Sequence, residues 1–234
     1  QEAIGEVGDR WGKEQTLAGP VLSIPYTREL TRLIDDRNET FTSDHVLHIL
    51  PETLHIDAGI APEVRRRGIF PVVVYHGQMA LSGRFEREAF AHALPEGAQV
   101  HWDKAYLSMG LSDQRGIRDA AQLEWNGRKL PFEPSSAKHV LPEAALQTGL
   151  PVQGLAPEGW SPGDRHQRST DQVADNMDQS FQFDIPLMLD GSLGWHAVPV
   201  GKHTTTTMRA DWPDPSFTGA FLPKHKIDQD GVEA

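Results

Sequence analysis

Cysteine is absent from the 234 residues of this chain. The absence excludes disulfide bonds, cysteine-ligated zinc sites and thiol nucleophiles together. It fits a reducing cytoplasm, and it equally fits an oxidising compartment in which unpaired thiols are avoided. This observation therefore leaves the cellular compartment open.

Long hydrophobic runs and several enzyme motifs are absent as well. No stretch of about 18 apolar residues occurs, so no part of this chain is predicted to span a bilayer as a helix, and no signal peptide is visible. The glycine-rich loops that cradle nucleotide phosphates are missing, and so is the G-x-S-x-G turn of serine hydrolases. No motif supports either activity.

Positive charge is scarce. Lys and Arg number 22 against 33 Asp and Glu, which gives a formal net charge of −11 at pH 7. An acidic surface repels nucleic acid and anionic lipid, so neither is predicted as a partner of the protein's main face. The one basic run, Arg65–Arg67, has no aromatic residues interleaved and is interpreted as a solvated strand edge or turn.

Glycine and proline are abundant, with 21 and 17 residues. This density breaks long helices and favours short strands joined by turns. About ten short strands with turn signals between them predict an all-β fold, either a mainly antiparallel sandwich or a large twisted sheet, with a few short helices. The clearest local signal is Asn126-Gly127 between two extended arms, the preferred type I′ hairpin turn.

The chain is predicted to contain one β-rich domain over residues 15–234. Ahead of that domain, Ile4, Val7 and Trp11 recur on one face of a helix. This pattern indicates a helical segment over residues 1–14.

Four stretches show how the domain is predicted to be built. The Gly- and Pro-rich region around residues 148–178 indicates a long loop. The polar stretch Thr31–Ser43 is interpreted as a hairpin loop, and Gln99–Ser108 as a strand of imperfect phase. Ser180–Leu189 alternates apolar and polar residues and is predicted to be a half-buried strand.

Histidine is the first candidate metal ligand, with eleven residues. His45 and His48 lie three apart on a predicted strand and point to opposite faces, so they cannot chelate one ion together. His101 and Asp103 share a face of a predicted strand, but zinc needs three or four converging ligands. No metal or other cofactor is therefore predicted.

Carboxylates and one arginine suggest further sites. Asp113, Glu124 and Asp184 could belong to the carboxylate pair of a glycosidase, but their spacing cannot pair them, and solvated charge is the preferred interpretation. Arg115 and Gly116 follow Asp113 closely, which fits a buried ion pair at a tight turn or an ordinary helix beginning.

Aromatic residues provide the candidate contact sites. Tryptophans on strands usually belong to the core, although their rings can also stack on sugars. Trp160 lies in the predicted long loop and is the candidate contact for a partner or for the bilayer interface. Trp212 and Phe217 flank two prolines in a rigid segment and are the other candidate contacts for a partner or ligand.

Several segments, taken in order, resemble the large extracytoplasmic domain of the CreD family, bacterial inner-membrane proteins linked to cell-envelope integrity. No single motif is decisive, but the ordered set covers most of the chain. The segments are Gln15–Tyr26, Leu50–Leu54, Arg66–Phe70 with Tyr75, Gly83–Phe85, Ser112–Ile117, Trp212–Phe217 and Gly219–Pro223.

The resemblance implies membrane segments on both sides of the chain, with residues 1–14 as a juxtamembrane helix and the β-rich domain in the periplasm. It implies no enzymatic activity, because the family has no accepted catalytic residues to transfer. The partners expected from it are the protein's own flanking transmembrane helices and, beyond them, envelope proteins or glycans.

The leading hypothesis is a non-catalytic periplasmic domain of a CreD-like inner-membrane protein that acts in cell-envelope integrity or stress response. One alternative is a carbohydrate-binding module that uses Trp160 or the face bearing Trp102. The other is a metal-dependent hydrolase that uses His101, Asp103 and a ligand not identifiable from the sequence.

Overall fold

The computed structural model describes residues 12–34, 37–67, 69–135, 141, 144–156, 180–212, 216–218, 226–228 and 231–233. Most of the predicted helical segment 1–14 and most of the predicted loop around 148–178 lie outside these ranges, so both stay predictions.

The described strands form two sheets, called sheet A and sheet B. Sheet A follows the order β12-β1-β6-β10-β9, and β2 and β5 also pair with the long strand β1. All of its pairings are antiparallel except that of β1 with β12. Its members are β1 (Gln15–Ile34), β2 (Arg37–Ile49), β5 (Gln99–Val100), β6 (Tyr106–Leu111), β9 (Glu133–Ser135), β10 (Ala144–Gly149) and β12 (Trp195–Val198).

Sheet B follows the order β14-β15-β13-β3-β4-β11-β7-β8. Its pairings are antiparallel except that of β3 with β13. Its members are β3 (Thr53–Arg67), β4 (Phe70–Glu86), β7 (Gln122–Trp125), β8 (Arg128–Pro131), β11 (Ser180–Ser192), β13 (His203–Ala210), β14 (Lys226–Asp228) and β15 (Gly231–Glu233).

Helical structure is short in the described part of the chain. It consists of helix α1 (Arg87–Ala93), a helical turn at Val152–Leu155 and 3₁₀ turns at Trp102–Lys104 and Gln114–Gly116. The all-β class with a few short helices is therefore confirmed.

Apolar side chains of both sheets pack into one core. Leu22, Leu107 and Met109 enter it from sheet A, and Leu81 and Ile185 enter it from sheet B. Strand β11 shows why the sequence favours this arrangement, because its residues alternate between buried and exposed along most of its length. The predicted alternation in Ser180–Leu189 is thus confirmed.

Stacked aromatic rings fill one region of this core. Trp125 and Phe181 stack with ring centroids 5.6 Å apart, and Phe90 stacks on the other side of Phe181 at 5.5 Å. The guanidinium of Arg87 lies 5.3 Å from the centroid of Phe181. These contacts attach α1 to sheet B.

The predicted hairpin at Asn126-Gly127 is present between β7 and β8. Asn126 has a φ of 46° and Gly127 a φ of 79°. Both values lie in the left-handed region that a type I′ turn requires, and Asn and Gly tolerate it best. The hairpin predicted from these two residues is therefore confirmed.

Two local predictions were wrong. Thr31–Ser43 is not a long loop, because β1 continues to Ile34 and pairs residue by residue with β2 from Arg37 onward. Gln99–Ser108 is not one strand, because a 3₁₀ turn at Trp102–Lys104 separates β5 from β6. The turn buries the Trp102 ring in the core, where 7% of the residue is exposed.

Candidate functional site

The first described residues, 12–16, are held between two segments that come from different sheets. Residues 112–116 directly follow β6 of sheet A. Residues 190–194 form the end of β11 in sheet B and its turn into β12. These three segments are called the N-terminal clamp below, and several polar side chains connect them.

Backbone hydrogen bonds fix the path of the chain through the clamp. The N–H of Ser192 donates to the carbonyl of Lys13 at 3.2 Å, and the N–H of Gln15 donates to the carbonyl of Gly194 at 3.0 Å. Lys13, which precedes β1, and Gln15, the first residue of β1, are therefore both attached to the end of β11 and the turn that follows it.

Gln15 lies at the centre of the clamp and is fully buried, with 0% exposure. Its side-chain amide nitrogen donates to the carbonyl of Asp113 at 3.0 Å and to the carbonyl of Asp190 at 3.2 Å. Two acceptors around one terminal atom require that this atom is the NH₂ group. The side chain thus joins a segment of sheet A to a strand of sheet B.

Asp113 holds the same segment through its carboxylate. Oδ2 accepts from the backbone N–H of Lys13 at 3.1 Å, while Oδ1 accepts from the backbone N–H of Arg115 at 3.1 Å. The guanidinium of Arg115 donates to both oxygens, at 2.9 and 2.8 Å. Asp113 and Arg115 thus form an ion pair at the turn, but the Arg115 side chain is 53% exposed, so the pair is not the buried one that was expected. The same carboxylate caps the 3₁₀ turn Gln114–Gly116, so the alternative interpretation, a helix beginning, is also present.

These contacts change the acidity of Asp113. The hydrogen bonds from the Arg115 side chain, supported by the backbone N–H groups of Lys13 and Arg115, lower the pKa of the carboxyl to about 2 against the opposing effect of burial. The group therefore stays ionised at neutral pH and serves the structure as an acceptor.

Two serines complete the attachment. The hydroxyl of Ser112 accepts from the N–H of Thr16 and donates to the carbonyl of Glu14, both at 2.8 Å. The hydroxyl of Ser192 donates to the carbonyl of Gly12 at 3.0 Å. The side chains of Ser112 and Ser192 thus satisfy backbone groups of Gly12, Glu14 and Thr16 at the point where the chain enters β1.

Gly116 lets the two sheets approach closely at the clamp. A Cβ atom there would overlap the carbonyl of Asp190 and crowd the side-chain amide of Gln15. A larger residue would therefore displace the hydrogen bonds that Gln15 makes.

Polar contacts extend the clamp to β4. The hydroxyl of Tyr75 donates to the carbonyl of Gly194 at 3.0 Å, and burial raises the pKa of this tyrosine. Nearby, Nδ1 of His76 lies 2.7 Å from Oδ1 of Asp190, and Nε of Arg118 lies 3.7 Å from Oδ2 of the same residue. The carboxylate of Asp190 thus has a histidine and an arginine beside it at the rim of the clamp.

We expect Asp113→Asn to destabilise the protein at neutral pH and to have little effect in strong acid. Because the folded-state pKa of about 2 lies below the ordinary 3.8, the stabilisation is nearly complete above about pH 5, shrinks as the pH falls below the ordinary value, and is lost as the pH falls through 2. The substitution should lower the free energy of unfolding by about 2 kcal/mol at pH 7. Urea denaturation at pH 7 and pH 2.5 measures the difference.

The matched control for that measurement is Asp119→Asn, because Asp119 is an exposed aspartate a few residues further along the chain. We expect it to change the free energy of unfolding by less than about 0.5 kcal/mol at either pH. Equal losses at pH 7 and pH 2.5 for Asp113→Asn would contradict an electrostatic role.

The candidate metal ligands are not brought together by the structure. His101 and Asp103 were expected on one face of a strand, but Asp103 lies inside a 3₁₀ turn and His101 precedes it. Among the described residues, no group of three or more His, Asp or Glu side chains could hold a metal ion. His45 and His48 do lie on β2, where His45 stacks on Tyr26 at 5.2 Å and His48 contacts Ser23 at 2.9 Å.

Two of the three candidate carboxylates do become neighbours. Glu124 on β7 is paired directly with Asp184 on β11, and both side chains face solvent on sheet B. Desolvation and the charge of Glu124 raise the pKa of Asp184. Asp113, the third candidate, belongs to the clamp.

The candidate aromatic contacts have different outcomes. Trp102 is buried in the core, which is why the expected sugar-binding face bearing Trp102 is wrong. Trp212 and Phe217 are half-buried, and each makes contacts within the protein. Trp160 lies outside the described residues. The roles of Trp160, Trp212 and Phe217 as partner contacts stay predictions.

A shallow charged groove of about 440 Å³ is a second surface feature, and it brings together two segments on which the family resemblance rests. Glu52 and Lys202 pair across it at 2.6 Å, and Arg84 and Glu86 pair at 2.7 Å. The hydrogen bond from Lys202 lowers the pKa of Glu52. Glu88 also lines the groove, so three carboxylates and two cations face it and its charges balance to within one.

Comparison with known proteins assigns the chain to a family. The family model described as "Inner membrane protein CreD" matches residues 1–234. The chain belongs to the CreD family. It is 27% identical over 221 residues to the inner membrane protein CreD of Escherichia coli strain K12, and the match covers 94% of this chain. No solved structure matches.

The chain corresponds to less than half of that relative, since the match covers 44% of the E. coli protein. In the part of the chain that the structure describes, no helix is long and apolar enough to cross a membrane. The family match confirms the resemblance to the CreD family of inner-membrane proteins. The activity of the whole protein is proposed below.

Proposed function

We propose that this chain is the periplasmic domain of an inner-membrane protein of the CreD family, and that it supports cell-envelope integrity or the envelope stress response without catalysis. The N-terminal clamp is the observation that carries this proposal. It attaches the segment that precedes β1 to both sheets, so a movement of that segment reaches the whole fold.

The chemistry of the clamp favours a mechanical role over a catalytic one. The carboxylate of Asp113 accepts four hydrogen bonds, and the amide of Gln15 donates two. The hydroxyls of Ser112 and Ser192 are likewise engaged with backbone groups. Groups that are already satisfied within the protein hold geometry and have little capacity left for a substrate.

The proposed partner of the clamp is the membrane anchor of the same protein. The E. coli relative is an inner-membrane protein, and more than half of its length lies outside the matched region. In this proposal, a transmembrane helix ahead of residue 1 would act on Gln15 and Asp113 through the N-terminal segment that the clamp holds. In this proposal, the rigid connection lets the β-rich domain report or impose a position relative to the bilayer.

The proposal predicts that the domain is reached by reagents that do not cross the inner membrane. The test uses the full-length protein with any cysteines outside this chain replaced, and with Asp119→Cys as the only thiol. A maleimide small enough to pass outer-membrane pores but unable to cross the inner membrane is added to intact cells. We expect the same extent of labelling as after lysis, because Asp119 is exposed.

Ser108→Cys is the matched buried control, since Ser108 has 1% exposure. It should react only after denaturation, which shows that labelling of the reporter requires exposure in the folded protein. Labelling of Asp119→Cys only after lysis would place the domain in the cytoplasm and overturn the proposal. Turnover of an envelope polymer that one point substitution abolishes would overturn its non-catalytic part.

A further inference from the structure

The end of the β3–β4 hairpin exposes large apolar side chains. Ile69 is 87% exposed, Phe70 is 58% exposed and Val64 is 52% exposed. These three residues, together with Arg65 and Arg66, are called the hairpin tip below. Exposed apolar groups that lie together and are rimmed by charged residues are a feature of protein and membrane interaction sites.

The hairpin tip projects beyond the neighbouring strands. Strand β13 pairs with β3 only as far as Ile60, and β11 pairs with β4 only from Val74 onward. Four residues separate Val74 from Phe70, which corresponds to about 13 Å of extended strand. The tip is therefore the furthest described part of sheet B in this direction.

The projection points past the N-terminal clamp. Val74 is paired with Ser192, and the hydroxyl of Ser192 is bonded to the carbonyl of Gly12. The point at which the described chain begins thus lies level with Val74, and the hairpin tip extends beyond that level. The chain therefore enters the described fold at the same end of sheet B as the hairpin tip.

The charge of the tip is opposite to that of the protein. The chain carries a net charge of −11, yet Arg65 and Arg66 are consecutive and exposed at the tip. Glu63 compensates part of this charge through a 2.9 Å pair with Arg65. Arg65 and Arg66 together with Glu63 thus leave one positive charge at the tip.

Exposed aromatic and aliphatic side chains next to arginines are the combination that binds an anionic bilayer surface. The apolar groups enter the boundary between headgroups and acyl chains, and the arginines pair with lipid phosphates. We propose that the hairpin tip, Val64–Arg66 with Ile69 and Phe70, inserts into the surface of an anionic phospholipid bilayer. This inference rests on the proposed function in one respect, which is that the domain lies next to a membrane.

The hairpin of β1 and β2 provides an internal comparison. Leu33 and Phe41 are exposed near its end, at 65% and 47%. The strand β1 runs away from Gln15, and its eighteen residues to Leu33 correspond to about 60 Å when extended. If the position and the arginines of the hairpin tip determine insertion, Leu33 and Phe41 should not insert into the bilayer although they are exposed.

The test places a fluorophore sensitive to polarity, nitrobenzoxadiazole, at Ile69→Cys in the full 234-residue chain, which has no other thiol. Leu33→Cys carries the same label as the matched control. Each protein is mixed with vesicles of phosphatidylcholine alone or of equal parts phosphatidylcholine and phosphatidylglycerol. Circular dichroism of both labelled proteins verifies that the fold is unchanged.

We expect the emission at position 69 to rise about threefold with the anionic vesicles, and to change little with the neutral ones. Arg65→Gln combined with Arg66→Gln should weaken vesicle binding about tenfold or more, and high salt should act in the same direction. Position 33 should not respond to either vesicle.

Three results would overturn the inference. They are no response at position 69, an equal response at positions 69 and 33, and a rise without vesicles that grows with protein concentration, which would identify a second copy as the occupant. Because the assay uses purified protein and vesicles, its outcome is independent of the labelling of Asp119→Cys in cells. A failure of the tip can therefore be distinguished from a failure of the periplasmic assignment.

Discussion

Replacing Gly83 with alanine should destabilise the protein by about 3 kcal/mol or more. Gly83 lies on β4 in the middle of sheet B, where it is paired with Leu54 on β3 and with Phe183 on β11. A Cβ atom at this position would overlap the carbonyl of Thr53 and lie 2.8 Å from Cζ of Phe183. The two strands must separate to accommodate it, because a backbone atom cannot rotate away.

Urea denaturation followed by circular dichroism measures this effect, with Gly59→Ala as the matched control. Gly59 also lies inside sheet B, on β3 between β4 and β13. An added Cβ there would have only the carbonyl of Gln78 near it, at 3.8 Å. We expect the control to be neutral or to stabilise the protein by about 0.4–1 kcal/mol, because alanine restricts the unfolded chain. Similar losses for both variants would show that close strand approach is not the cause.

The features that could be predicted from the sequence are those that depend on neighbours along the chain. The turn at Asn126-Gly127 requires positive φ at two adjacent residues, and two residue types supply it. The alternation in Ser180–Leu189 follows from a strand with one buried face. Both were predicted because the physical cause and the signal occupy the same short segment.

The end of the β1–β2 hairpin was mispredicted because its stability comes from pairing that polarity does not reveal. Thr31 pairs with Thr40 across the hairpin, and their hydroxyls lie 3.3 Å apart. Threonine is favoured in strands because its branched side chain fits the pleated backbone. The two strands therefore pair here although most side chains on both faces of the hairpin are polar. A rule that assigns polar stretches to loops therefore shortens these strands.

The turn at Trp102–Lys104 was mispredicted for a tertiary reason. A continuous strand would have kept the alternating pattern through Gln99–Ser108, but the chain turns so that Trp102 reaches the core. The Trp102 ring is large enough for its burial to outweigh the loss of a few ladder hydrogen bonds. A short-range pattern cannot show that space for a tryptophan exists elsewhere in the fold.

The clamp could not be predicted from the sequence because its members are far apart along the chain. Gln15 contacts Asp113 across 98 residues and Asp190 across 175 residues. Gln15 and Asp113 were both in segments that resemble the family, yet the resemblance did not indicate that the segments meet. Tyr75 also belongs to the segments that resemble the family, and its hydrogen bond to Gly194, 119 residues away, likewise depends on the fold.

Gln15→Glu provides the sharpest test of the clamp, because it keeps the shape of the side chain and changes only its chemistry. The amide nitrogen that donates to the carbonyls of Asp113 and Asp190 becomes an oxygen. Three acceptors then face one another in a fully buried position. We expect the free energy of unfolding to fall by about 3 kcal/mol or more at pH 8.

The pH dependence identifies the cause of that loss. Burial and the neighbouring acceptors raise the pKa of the introduced carboxyl above its value in the unfolded chain, so the penalty is small when the group is protonated and grows as the pH rises through that window. The loss at pH 8 should therefore exceed the loss at pH 5, whereas exposed Gln122→Glu should change little at either pH. A loss independent of pH would indicate a packing defect. No loss at all would mean that Gln15 does not hold the N-terminal segment to both sheets, and the mechanical connection between anchor and domain would have to be sought elsewhere.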